Sequence, residues 1–157
     1  MFLEGFPAGL HNYWKSSFLQ SLSNGAIDTM IKRFAAVPSP TSSMAIEHIS
    51  GAASRVGDND TAFNHRKSPY NFLIVGIWPN AADNDAHIRW VRDTWDAMQP
   101  FSASAVYVNY LGQTADEGAE RIKEAYGVAK YERLLELKKK CDPTNLFRLN
   151  QNINPPA

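Results

Sequence analysis

Nine consecutive residues, "YNFLIVGIW" (Tyr70 to Trp78), constrain this chain more than any other stretch. Side chains alternate across a strand, so this run is apolar on both faces and is expected to be covered on both. "MAIEHISGAASRV" (Met44 to Val56) also has strand character, with glycine and small residues where a bulge or close approach could sit. Only the loop-like "GDNDTAFNHRKSP" separates the two, and no helix is expected between them. Consecutive strands of this kind favour an antiparallel pairing. A third strand is expected in "SAVYVNYLG", rich in β-branched and aromatic residues. The predicted fold is therefore α+β: an antiparallel sheet of Met44–Val56, Tyr70–Trp78 and Ala105–Leu111, with the helices mainly on one face.

The start of the chain is strand-like, although it is not counted in this sheet, and helices are predicted around it. In "SNGAIDTMIKRFAAVPSP" the residues Ala26, Ile27, Met30, Ile31 and Phe34 recur at helical spacing before Pro38. In "DNDAHIRWVRDTWDAMQP" the stripe is Ile88, Val91, Trp95 and Met98, and Pro100 closes it. Thr114 and Glu117 have capping-box spacing at the start of "TADEGAERIKEAYG". A last helix over Val128 to Lys140 carries Lys138, Lys139 and Lys140 at its C-terminal end, where cations are favourable.

The length of 157 residues and the absence of a repeat or low-complexity linker point to one domain over residues 1–157. Sixteen basic and sixteen acidic residues cancel, which argues against nucleic acid or an anionic membrane as a partner. One cysteine, Cys141, excludes an internal disulfide framework and a cysteine-built zinc site. No apolar run approaches the roughly 20 residues of a bilayer span, and "MFLEGFPAGLHNYWKSS" lacks the pattern of a signal peptide. A soluble, cytoplasmic location is the expectation.

Phosphate loops, nucleophile elbows and metal-type histidine pairs are absent, and His11, His48, His65 and His87 read as structural or exposed. Cys141 reads as a small residue at a helix end, although three preceding lysines would favour its thiolate. Glu47, beside Ile46 and Ile49, is either solvent-facing or a candidate base. In "VYVNY" (Val106 to Tyr110) strand alternation would put Tyr107 and Asn109 on one face, an arrangement that suits a planar, hydrogen-bonding ligand or a satisfied core amide.

"VYVNY" followed by "YGVAKYERLLELKKKCDPTNLFRLNQNI" resembles the C-terminal end of the berberine bridge enzyme-like FAD-linked oxidases. That family has a tyrosine-any-asparagine-tyrosine strand, a Tyr-Gly helix start, a Lys-Lys-Tyr-Asp-Pro turn and a closing Asn-Gln segment. "YWKSSFL", "EHISGAASRVGDNDTAFNHR" and "WVRDTWDAMQPF" extend the likeness upstream over nearly the whole chain. Two departures stand out. Cys141 replaces the usual tyrosine, and the FAD-binding domain that precedes this portion in the family, with its phosphate loops and flavin-linking His and Cys, has no counterpart here.

The resemblance implies the substrate-binding and flavin-covering portion of an FAD-dependent oxidoreductase. The intact enzyme would oxidise a small organic substrate by hydride transfer to the flavin. It implies Tyr110 as the proton-abstracting or substrate-contacting residue, with Glu47 second. Leu73 stands where some plant members carry an acid or amide. Tyr107, Asn109, Asn145, Asn150 and Gln151 would face the cofactor, with Leu146 and Phe147 anchoring the closing segment on the FAD-binding domain or subunit. Without that domain, FAD binding by this chain alone is expected to be poor. The alternative is a non-catalytic α+β binding or interaction module, truncated or separately encoded. A partner chain across the aromatic face, including a second copy in a homo-oligomer, is compatible with either.

Overall fold

The computed structural model describes residues 8–103, 105–112 and 118–154. Three strands form one antiparallel sheet in the order β1-β3-β2: β1 His11–Leu19, β2 Ser43–His48 and β3 Tyr70–Trp78. The central strand has the expected bounds, and the α+β class with antiparallel pairing of β2 and β3 holds.

Three parts of the sequence expectation need correction. Residues 105–111 are not a strand. After an isolated bridge between Leu19 and Ser102, and a Phe18 amide donating to the Ala105 carbonyl at 3.3 Å, the chain turns through a 3-10 helix at Val108–Tyr110. The third strand is instead β1, whose buried Lys15, Ser16 and Ser17 mask its strand pattern. The expected Met44–Val56 strand stops at His48. Gly51, at φ +62°, then leads into a one-turn helix α2, Ala52–Arg55, so β2 and β3 are not joined by loop alone. The Thr114 and Glu117 cap lies outside the described residues.

One face of the sheet carries Tyr13, Leu19, Phe72, Ile74 and Trp78, and it packs against α3, Asn84–Met98, through Trp90, Val91 and Met98. Gly76 allows the close approach, because a Cβ there would lie 3.1 Å from the Val91 Cγ2. Helix α1, Asn24–Phe34, starts where the Ser23 hydroxyl accepts the Ala26 N–H. It is tied to α3 by Trp90 Nε1 donating to the Arg33 carbonyl at 3.0 Å and Arg33 Nε donating to Thr94 Oγ1 at 3.2 Å. Its apolar stripe is only half used: Ala26 is buried, while Ile31 is 64% exposed. Just before β2, the Ile77 carbonyl accepts from Thr41 Oγ1 at 2.8 Å, and the Ile77 amide donates to Ser42 Oγ at 2.9 Å.

The opposite face carries Leu73, Val75 and Ile77, with Trp14, Ala45 and Tyr110 against them. No helix lies directly on this cluster. The 106–111 segment covers it, supported from behind by α4, Ala119–Tyr126, through Val106, Leu111 and Ala125. His65 pins this support: its Nε2 lies 2.9 Å from the Ala125 carbonyl and its ring 4.5 Å from that of Phe18. Gly127, at φ +74°, joins α4 to α5, Val128–Cys141. Among the described residues no helix is long and apolar enough to cross a membrane.

Ile74 has no exposed surface and sits between β1, β2 and α3. Ile74→Ala should cost about 2–5 kcal/mol of unfolding free energy, measured by urea denaturation. A loss below about 1 kcal/mol would contradict this packing.

Candidate functional site

The helix-free face brings together residues distant in sequence. Glu47 of β2 and Asn71 of β3 are paired across the ladder and point to this face with Leu73 and Val75. The turn at Val108–Tyr110 then lays Tyr110 over them. It is closed by Tyr110 N–H donating to the Tyr107 carbonyl at 2.8 Å, and fixed from β1 by Trp14 Nε1 donating to the Tyr110 carbonyl at 3.0 Å. Tyr110 OH donates to Glu47 Oε1 at 2.5 Å, and Asn71 Nδ2 donates to Glu47 Oε2 at 2.8 Å. Both carboxylate oxygens therefore accept a hydrogen bond, an arrangement that suits the ionised form.

The phenol responds in the opposite direction. Burial, then the hydrogen bond to Glu47, its charge and Tyr107, push the Tyr110 pKa well above the ordinary tyrosine value. Tyr110 is thus held neutral, as a donor, and Glu47 is the acceptor of the pair. Among the described residues the charged group that acts on Tyr110 is the Glu47 carboxylate.

Tyr107 and Asn109 share a neighbourhood for a different reason from strand alternation. Asn109 Nδ2 donates to Tyr107 OH at 2.8 Å within the turn. Asn109 is exposed and Tyr107 half-buried, edge-on to Tyr110 at 5.3 Å and to Phe63 at 5.7 Å. A groove of about 540 Å³ next to the turn is lined by Trp14, Val108, Asn109, Leu111, Asn150 and Gln151. Gln151 reaches it by donating Nε2 to the Leu111 carbonyl at 2.9 Å. Three of the cofactor-facing candidates, Asn109, Asn150 and Gln151, therefore line one groove. Asn145 does not. It sits at φ +54° in the turn after α5, where the Asp142 carboxylate accepts the Leu146 and Phe147 amides at 2.7 and 3.0 Å.

The residues present suit the ring portion of a flavin. They offer amide groups along a groove, next to a turn that carries two perpendicular phenol rings, whereas the chain has no glycine-rich loop to hold phosphates. Among the described residues no group of three or more potential metal ligands comes together. The sequence reading missed Asn71 and Trp14. Asn71 had a signal, as the one polar side chain in an otherwise apolar strand.

Residues 106–154 match the family model described as "Berberine and berberine like". Berberine bridge enzyme-like 22 of Arabidopsis thaliana is 30% identical over 157 aligned residues, covering 90% of this chain and 29% of that protein. The uncharacterized FAD-linked oxidoreductase YvdP of Bacillus subtilis (strain 168) is 35% identical over 105 residues, covering 67% of this chain and 22% of that protein. The structure of BBE-like #28 from Arabidopsis thaliana superposes with a TM-score of 0.81 at 23% identity, over 96% of this chain and 35% of that one. The chain thus spans about a third or less of the proteins it matches.

Tyr110 should be among the last tyrosines to ionise in a spectrophotometric titration, and Glu47→Gln should bring it down toward the ordinary value of about 10. Because folding favours the neutral phenol, its contribution to stability is complete below about pH 10 and is lost as pH rises through the raised folded value. A Tyr110 that ionises with the exposed tyrosines would contradict the pairing.

Proposed function

From the membership of this chain in the berberine bridge enzyme-like FAD-linked oxidoreductases, we propose that it is the portion of such an enzyme that roofs the flavin ring and handles the substrate's proton. The observation that carries this reading is the 2.5 Å hydrogen bond from Tyr110 to Glu47 on the sheet face left free of helices.

Glu47 is the base of the pair in this chain. Ionised between two donors, it takes the proton that leaves a small organic substrate as a C–H bond next to oxygen or nitrogen is oxidised. Tyr110 remains neutral. It orients the carboxylate and offers its hydroxyl as a donor to a substrate heteroatom when it turns from Glu47. General-base assistance of this kind contributes about 10²–10⁴ in rate. FAD, when bound, would supply the redox chemistry as the hydride acceptor. Asn109, Asn150 and Gln151 are the residues that would hold the ring from the groove, and Tyr107 backs Tyr110.

The phosphates of FAD fall to the FAD-binding part of the relatives, which this chain does not span. The closing segment is the surface facing that part: Leu146, Phe147 and Leu149 are 74%, 77% and 86% exposed in an ordered turn. The same exposure favours the second reading, an interaction module without chemistry of its own. The two differ in what Glu47 does.

In the flavoenzyme containing this chain, Glu47→Gln should slow substrate-dependent flavin reduction by about 10²–10⁴ with flavin content unchanged, and Tyr110→Phe by a smaller factor. Reduction of Glu47→Gln at the unmodified rate would leave only the interaction-module reading. The 157-residue chain alone should not retain stoichiometric FAD through gel filtration; a yellow, flavin-loaded chain would refute the assignment of phosphate binding elsewhere.

A further inference from the structure

Asn71 is completely buried in the middle of the sheet, between Phe18 of β1 and Glu47 of β2. Burying a primary amide is costly unless its hydrogen bonds are made. Only half of this one is satisfied: Nδ2 donates to Glu47, while Oδ1 has no partner among the described residues. A leucine in its place would fill the position without that cost, so the amide calls for an account in terms of Glu47.

The carboxylate lies between two donors, and in its ionised form it accepts from both at once. Once Glu47 takes a proton on Oε2, a donor would face a donor. A primary amide resolves this, because half a turn about its Cβ–Cγ bond exchanges its N–H for its carbonyl in the same place. The unpartnered Oδ1 is then the acceptor for the carboxylic O–H.

We propose that Asn71 is the positioning residue for Glu47: its amide fixes the carboxylate with Oε1 on Tyr110, and by turning over it accepts from the protonated form. This rests on the proposed role of Glu47 and adds a device that lets it change protonation state without leaving a buried donor opposed by another. The groups facing Glu47 are Tyr110, with Tyr107 behind it, from the turn and Asn71 from β3. His65 lies beyond Phe18, and its burial favours the neutral imidazole. No ion pair to Glu47 forms among the described residues. Tyr110 and Asn71 are therefore the groups whose removal should alter its proton affinity.

The test is a carbon-13 NMR titration of the Glu47 carboxyl in the 157-residue chain. Asn71→Leu and Asn71→Val each remove a donor from the charged form and an acceptor from the protonated one; the charge-assisted bond is the stronger of the two, so the Glu47 midpoint should rise. Tyr110→Phe should raise it independently. A midpoint unmoved in the folded Asn71 variants but raised in Tyr110→Phe overturns the role of Asn71 and leaves the Glu47–Tyr110 pair intact. A midpoint unmoved in all three overturns the pair as well. The unmodified chain gives a check that needs no variant: the Asn71 side-chain amide resonances should shift with the same midpoint as Glu47, and pH-invariant resonances would refute the proposal.

Discussion

The structure depends on the two-sided burial of β3. Seven of its nine residues are apolar and lie within a few per cent of complete burial, except Tyr70, which is half-buried. A strand so placed must have a hydrogen-bonded neighbour on each edge and a covering layer on each face. β1 and β2 meet the first requirement along the ladders. The second is met unequally. Helices α1 and α3 cover the Ile74 face, where Gly76 lets α3 approach closely, while the Leu73 face is covered by a turn and two large side chains, Trp14 and Tyr110. Fully burying a side chain of this size contributes about 1.5–3 kcal/mol, so the Leu73 face cannot be left to solvent, yet its cover is thin enough for polar groups to reach the sheet.

That asymmetry explains where the proposed chemistry sits. A carboxylate against a helix-covered face would be stripped of water with little to replace it, a cost of several kcal/mol. On the Leu73 face Glu47 is half-buried at the end of the shorter edge strand, and its two oxygens meet a phenol and an amide. The pair is polar enough to be satisfied and shielded enough for its proton affinities to move, as the upward shift of Tyr110 through burial and the Glu47 charge records. Trp14 links the two functions of the face, since its ring packs on the apolar cluster while its Nε1 holds the Tyr110 carbonyl.

How much of this is legible in the sequence depends on whether the signal is local. The Tyr70–Trp78 strand and the helices at Asn24–Phe34, Asn84–Met98 and Val128–Cys141 were readable because the apolar pattern, a closing proline or the C-terminal lysines lie within or next to each segment. The segment "SAVYVNY" has strand composition but leaves the β1 edge past Ala105, and its aromatics form a turn instead. β1 was obscured by Lys15, Ser16 and Ser17, polar residues buried by their neighbours rather than by their own character. Tyr110 and Glu47 were each visible as candidates, the first through the family resemblance. Their contact spans 63 positions and depends on that turn, which no local pattern announces. The phenol pKa rises for the same reason, because the fold first buries the ring and then sets its hydroxyl against an anion.

The closing segment shows the same division between polar order and apolar exposure. Asp142, held below the usual carboxylate range first by Lys138 and then by the Leu146 and Phe147 amides, organises the turn after α5. Lys138 bonds both that carboxylate and the Phe147 carbonyl. Asn145 and Asn150 adopt left-handed φ values of 54° and 58°, conformations that asparagine tolerates better than most residues. All of these contacts are local and polar, and none involves the side chains of Leu146, Phe147 or Leu149. Those side chains are displayed by a turn whose order does not depend on burying them. Large apolar groups arranged in this way on a surface mark a place where burial is supplied from outside, and their position next to the groove of Asn150 and Gln151 puts that surface beside the face that carries Glu47 and Tyr110.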